Sequence, residues 1–226
     1  MLTSSARATV YPGRSHNEHP LSRTPPAPLS VGAVRYSCPT HTEHPDPAEL
    51  AALRDDFAAA GGSRALGWAG VHAFEAEHGV VLPEPYRTFV AEIADGSPVG
   101  SPFYGLVPVA ELPTDWGADR RKRVLARAFP LVEQWAWEDD EDTPEEELDD
   151  TIEPVFNHGS VVLGTDGCGM FWHLIVTGQH RGHVWFVDGE GATPFGAPFG
   201  GTTATPGFAG WVAHWAEGKE WFDAKA

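Results

Sequence analysis

The chain has 226 residues, of which 42% are hydrophobic and nine are tryptophan, and its formal charge is −17. That is enough apolar material for one domain with tails, and the acidity excludes the basic footprint that nucleic-acid binding requires. Two cysteines, Cys38 and Cys168, are too few for a disulfide framework, so a reducing cytoplasm is expected. No apolar run approaches the roughly 20 residues of a membrane span, and no secretory h-region is visible.

Residues 1–45 are rich in Pro, Ser, Thr and His and hold few large apolar groups. They read as a disordered leader that builds no core. Asp46-Pro47 then predicts a helix start, an N-cap followed by a first-turn proline. Leu50, Leu53 and Phe57 form its apolar stripe, and Gly61-Gly62 predicts its end. Trp68, Val71 and Phe74 mark a second helix that stops near Gly79. Leu82-Pro83-Glu84-Pro85 opens a third, where Tyr86, Phe89, Val90 and Ile93 stand at i, i+3, i+4 and i+7. Asp95-Gly96 closes it.

Residues 101–200 read as sheet. Phe103 to Val109 is a short apolar run, and Val161 to Gly164 is another. Met170 to Thr177 alternates Met170, Trp172, Leu174 and Val176 with Phe171, His173, Ile175 and Thr177. Both sets are largely apolar, which predicts a central strand covered on both faces. A glycine-bounded loop, 178–182, leads to a further strand at His183–Val187. The strands 161–164, 170–177 and 183–187 are expected to form an antiparallel meander. Near the C-terminus Phe208, Trp211, Val212 and Trp215 repeat the helical spacing, with Thr205-Pro206 as cap and Gly218 as stop.

The segment 139–153 holds ten acids and no base, and Arg120-Arg121-Lys122-Arg123 precedes it. It reads as a solvated, mobile loop beside a basic patch on a helix surface. The sharper alternative is a docking surface for a basic protein. Trp135 and Trp137 flank the acids and share a face if extended, so they are as suited to an interface as to a core.

The order of motifs resembles the SUKH superfamily. The resemblance is carried by Gly70-Val71, Phe74-Glu75, Gly79, Leu82-Pro83, Tyr86 to Val90 and Asp95-Gly96. Further on come Leu163-Gly164, Asp166-Gly167 and Gly169, then Val184-Trp185, then Phe208 with Trp211-Val212. It spans roughly residues 48–220. Asp95 stands where the family usually has asparagine, and the acidic insertion at 133–156 is longer than the family pattern requires. The resemblance implies an α+β domain over 46–226, an antiparallel or mixed sheet flanked by helices. It also implies a binding role. The superfamily includes yeast regulators of cell-wall glucan synthesis and bacterial immunity proteins that neutralise toxins.

The chemistry the chain could carry is limited. Cys168 lies between two glycines with His173 five residues on. At about 3.3 Å per residue an extended strand separates them by about 16 Å, too far for a nucleophile and its base. His78 or His183 could approach Cys168 only through the fold. Asp166, Gly167 and Gly169 suit a tight hairpin turn. Cys38, His41 and His44 are three ligand types without a fourth, and the acidic run lacks the ordered alternation of a calcium loop. No catalytic residue, metal or cofactor is therefore expected.

The expectation is a non-enzymatic protein-binding module, an immunity protein that occludes a basic toxin domain. Trp135, Trp137, Asp139, Asp140, Glu141 and Asp142 are its candidate contact residues. A regulatory scaffold for a cellular enzyme is the alternative, and a hydrolase using Cys168 the third. No nucleic-acid or membrane partner is expected.

Overall fold

A computed structural model describes residues 44–58, 64–98, 100–117, 123–137 and 144–222. The leader, with Cys38 and His41, lies outside the described residues except at its last two positions. So do Gly61-Gly62, Arg120 to Lys122, and Asp139, Asp140, Glu141 and Asp142.

Three helices come first: α1 (Pro47–Ala58), α2 (Trp68–His78) and α3 (Tyr86–Glu92). Asp46 caps α1 as its sequence predicts. Its carboxylate accepts the Ala48 N–H at 2.8 Å, and its carbonyl accepts the Leu50 N–H at 3.1 Å. Gly79 ends α2 in the left-handed conformation, φ 66°. Most of the predicted stripes face inward: Leu50, Leu53, Phe57, Val71, Phe74, Tyr86, Phe89 and Val90 are buried, whereas Ile93 is half-buried and Trp68, at the start of α2, is exposed.

Next come β1 (Trp135–Ala136) and α4 (Glu145–Asn157), then β2 (Ser160–Gly167), β3 (Met170–Ile175), β4 (Val184–Val187) and β5 (Gly191–Pro194). The last helix is α5 (Phe208–Ala216). The sheet order is β1-β5-β4-β3-β2, with every neighbouring pair antiparallel. The meander β2-β3-β4 follows its sequence expectation, and β5 and β1 extend it.

The alternation in β3 divides the core. Trp172, Leu174 and Val176 join Val161, Leu163 and Val184 in a cluster roofed by α1, α2, α3 and α5. Phe171 and Ile175 join Val162, Trp185 and Val187 beneath Trp116, Phe129, Trp137 and α4. The result is an α+β fold in which the sheet is covered on both faces.

Four expectations change. The acidic insertion is not simply a solvated loop, because α4 forms within it. Val155 and Phe156 are buried in the second cluster, and Leu148 and Ile152 pack against it, while Asp149, Asp150 and Glu153 face solvent. Burial of that stripe supplies what charge-rich composition lacks. The run Phe103–Val109 is not a strand. It turns at 101–104, touches Ser97 through one bridge at Leu106, and lends β2 only isolated hydrogen bonds. Thr205 does not cap α5; Gly207, φ 89°, occupies the cap without a side-chain bond. Arg123 does not lie on a helix surface: it sits outside any helix, and its guanidinium donates to the Ala110 carbonyl at 3.3 Å.

Candidate protein-binding surface

The third helix ends in a turn that builds a platform. Asp95 accepts the Val109 N–H at 2.8 Å. Burial pushes its carboxyl up from the ordinary value, and that hydrogen bond works in the opposite direction. Gly96 has φ 84°, and a Cβ there would lie 2.9 Å from Pro108. Only glycine allows that approach in that conformation. The Ser97 N–H then donates to the Leu106 carbonyl at 2.8 Å and closes the base of the loop that follows.

The other side of the loop is held by the hairpin β2–β3. Gly164 lies against it so closely that a Cβ would meet the Gly105 carbonyl at 2.5 Å. The Val107 N–H donates to the Leu163 carbonyl at 2.8 Å. Asp166 does most of the fastening. One carboxylate oxygen accepts the Phe103 N–H at 2.7 Å, and the other accepts the Trp172 indole N–H at 2.8 Å. Asp166 thus joins the loop to a fully buried tryptophan of the core.

The turn itself sits further along than the Asp-Gly signal predicts. Gly167 pairs with Met170, so Cys168 and Gly169 are the two central residues. Both have positive φ, 54° and 80°, as the tightest hairpin turns require. Asp115 ties this tip down, accepting from the Thr165 hydroxyl at 2.9 Å and the Gly169 N–H at 3.3 Å. Cys168 is exposed. His173 is not its base: it is buried, and its Nδ1 is 2.9 Å from the Ser160 hydroxyl.

On this platform stand two aromatic rings in water. Phe103 is 80% exposed and Tyr104 63% exposed. They pack edge to face, with centroids 5.1 Å apart. Tyr104 also leans over the tip, where a Cβ on Gly167 would come within 3.0 Å of its ring. An exposed pair on a backbone fastened at both ends loses little conformational freedom when it is covered, which suits an interface anchor.

Replacing Asp166 by Asn puts an N–H2 opposite one of two donors. The expected cost is about 1–3 kcal/mol of unfolding free energy, measured by urea titration, with the Trp172 indole N–H proton resonance reporting the lost bond.

The tryptophans singled out in the sequence lie elsewhere. Trp137 is 5% exposed; its indole donates to the Gly189 carbonyl at 2.7 Å and its N–H to the Glu190 carbonyl at 3.0 Å. It is interior and fixes the start of the insertion to the β4–β5 turn. Trp135 is half-buried and packs edge to face on Trp137 at 5.3 Å. Sequence reasoning passed over Phe103 and Tyr104. The signal was Pro102-Phe103-Tyr104-Gly105: two consecutive aromatics between turn formers, where no strand or helix period places them against a core.

Among the described residues no cluster of His, Cys, Asp and Glu is placed to hold a metal ion, and no helix is long and apolar enough to cross a membrane.

The fold and this surface define an α+β protein whose helix-roofed antiparallel sheet carries an exposed aromatic end. The chain belongs to the SMI1 / KNR4 family (SUKH-1), whose model matches residues 70–200. That match takes in Glu75, Leu82-Pro83, the α3 stripe, Asp95-Gly96 and the whole meander. No curated protein and no solved structure matches the chain. Membership is consistent with an immunity-protein or regulator-like module.

Proposed function

We propose that this chain is a protein-binding module, specifically an immunity protein that inactivates a basic toxin domain by covering it. The observation that carries the reading is the exposed Phe103–Tyr104 pair on its fastened platform. Aromatic anchors of this kind dominate interface energies once desolvated. The charge of −17 supplies the second element, since an acidic binder draws a basic partner by electrostatic steering. Asp139, Asp140, Glu141 and Asp142, which follow Trp135 in the sequence, are the acids assigned to that steering, with Trp137 packing on half-buried Trp135.

The test uses the product of the neighbouring gene as partner. Expression of that product should arrest growth, and co-expression of this chain should relieve the arrest. A neighbour that is harmless, or toxic but neither bound nor relieved, removes the immunity reading. Neutralising Asp139, Asp140, Glu141 and Asp142 to Asn and Gln is expected to slow association about tenfold and flatten its salt dependence, leaving dissociation little changed. Stopped-flow measurements at two salt concentrations check this, and unchanged association kinetics contradict the steering role.

A further inference from the structure

A second feature stands apart from the aromatic end. A cleft of about 560 Å³ is lined by His78, Leu112, Pro113, Thr114, Trp116 and Arg123, among others. Its volume falls in the range of small-molecule sites. Its lining mixes polar and apolar groups, Leu112, Pro113 and Trp116 supplying the apolar part, and its two ionisable lining groups are both basic.

Arg123 is incompletely satisfied there. One guanidinium nitrogen makes the long 3.3 Å bond to the Ala110 carbonyl. The other, Nη1, is shielded from solvent and has no hydrogen-bond partner among the described residues. Arg123 is in none of the ion pairs seen among the described residues, Arg54–Glu92, Arg87–Glu75 and Lys219–Glu217. Burial pushes its pKa down, and Tyr86 and then Glu77 oppose that shift. His78 is pushed down too, first by burial and then by the charge of Arg123. In a chain of net charge −17, a cleft whose described ionisable lining is wholly basic is a local exception. Buried charges and donors are normally paired.

We infer that this cleft binds a small carboxylate with an apolar body. The Arg123 guanidinium turns to present its two-pronged donor face to the carboxylate. Leu112, Pro113 and Trp116 cover the apolar body, and Thr114 can donate to the remaining oxygen lone pairs. One full positive charge matches a monoanion. A phosphate dianion would demand more donors than the described lining offers and would leave the apolar part of the lining unused.

The probe is benzoate, with benzamide as its neutral isostere and inorganic phosphate as the second control. Binding to the full chain is followed by chemical-shift changes at the Trp116 indole and the Arg123 Nε–H. Benzoate is expected to produce saturable shifts, with benzamide at least about tenfold weaker and phosphate weaker still. Arg123→Gln is expected to abolish the preference for benzoate over benzamide. If that variant does not fold, Arg123→Lys keeps the charge without the fork and is expected to lose several-fold in benzoate affinity. No saturable shift with benzoate up to about 20 mM overturns the inference. So do equal binding of benzoate and benzamide, tighter binding of phosphate than of benzoate, and an undiminished preference in the folded Arg123 variant.

Discussion

Replacing Phe103 and Tyr104 together by alanine is expected to weaken partner binding by at least about a hundredfold, with little change in stability. Phe103 is 80% exposed, so its truncation removes almost nothing from the folded core. Exposed substitutions of this kind usually stay within about 0.5 kcal/mol. In the complex the same rings are desolvated, and central aromatic anchors each cost about 2 kcal/mol or more when truncated. The platform sharpens the expectation. The backbone of Phe103 is held by Asp166 and the loop base by Ser97 and Leu106, so the alanine variant keeps its shape. Val81 and Val132, 54% and 52% exposed, serve as controls. Alanine at either should leave affinity within about twofold. Calorimetric titration of the three variants against the partner measures the difference. Equal losses at all sites would mean that the aromatic pair is not the anchor.

Glu75→Gln is expected to cost about 3–5 kcal/mol of unfolding free energy, the largest stability effect predicted for a single side chain here. Glu75 is buried in α2 and its carboxylate accepts three bonds. They come from the Leu82 N–H at 2.9 Å, Arg87 Nε at 2.7 Å and Arg87 Nη2 at 2.9 Å. The two parallel bonds form a bidentate pair, and donating to Glu75 raises the Arg87 pKa above its ordinary value. Glutamine keeps the volume but removes the charge and sets an N–H2 against a guanidinium. It leaves a part-buried cation without its anion, the costly half of a broken pair. The same contact fixes how α2, the Leu82-Pro83 entry and α3 meet, so it positions the Asp95-Gly96 turn and the loop beyond. Substituting both partners by methionine should recover much of the loss, because two apolar groups leave nothing unpaired. Urea unfolding of the single and double variants checks this. A single variant within about 1 kcal/mol of the parent would show that the pair contributes little.

The sequence reveals some of this directly and hides the rest for physical reasons. The stripes of α1, α2 and α3 are legible because they are local: spacing of 3 and 4 places a whole face inward whatever the tertiary partner. The two apolar sets of β3 likewise announce a strand buried on both sides. The helix α4 is harder to see. Its stripe of Leu148, Ile152, Val155 and Phe156 has helical spacing, but ten acids in the same stretch suggest a solvated run. Only the presence of Trp116, Trp137 and Phe171 beneath it makes burial of that stripe possible. The strands β1 and β5, of two and four residues, are too short to show a period: β5 exists because β4 offers it an edge, and β1 because β5 then does.

The candidate surface was less legible than the fold. Asp166 was read from its neighbour as a turn residue. Its long-range bonds to Phe103 and Trp172 depend on tertiary proximity that composition does not record. Exposure has the same limit. The pairs Phe103-Tyr104 and Trp135-Ala-Trp137 look alike as aromatic runs, yet one stands in solvent and the other reaches inward to Gly189.

The proposed partner is expected to dock at the end of the molecule formed by the aromatic pair and the hairpin tip. Cys168 offers the most direct test, because it is exposed at that tip and the neighbouring Gly167 lies against Tyr104. In a Cys38→Ser background, a bulky maleimide placed on Cys168 puts an obstacle on this surface without altering a buried side chain. Affinity for the partner is then measured by calorimetry before and after labelling. A loss of at least about a hundredfold with an unchanged melting temperature is expected. Undiminished affinity in the fully labelled protein would contradict it.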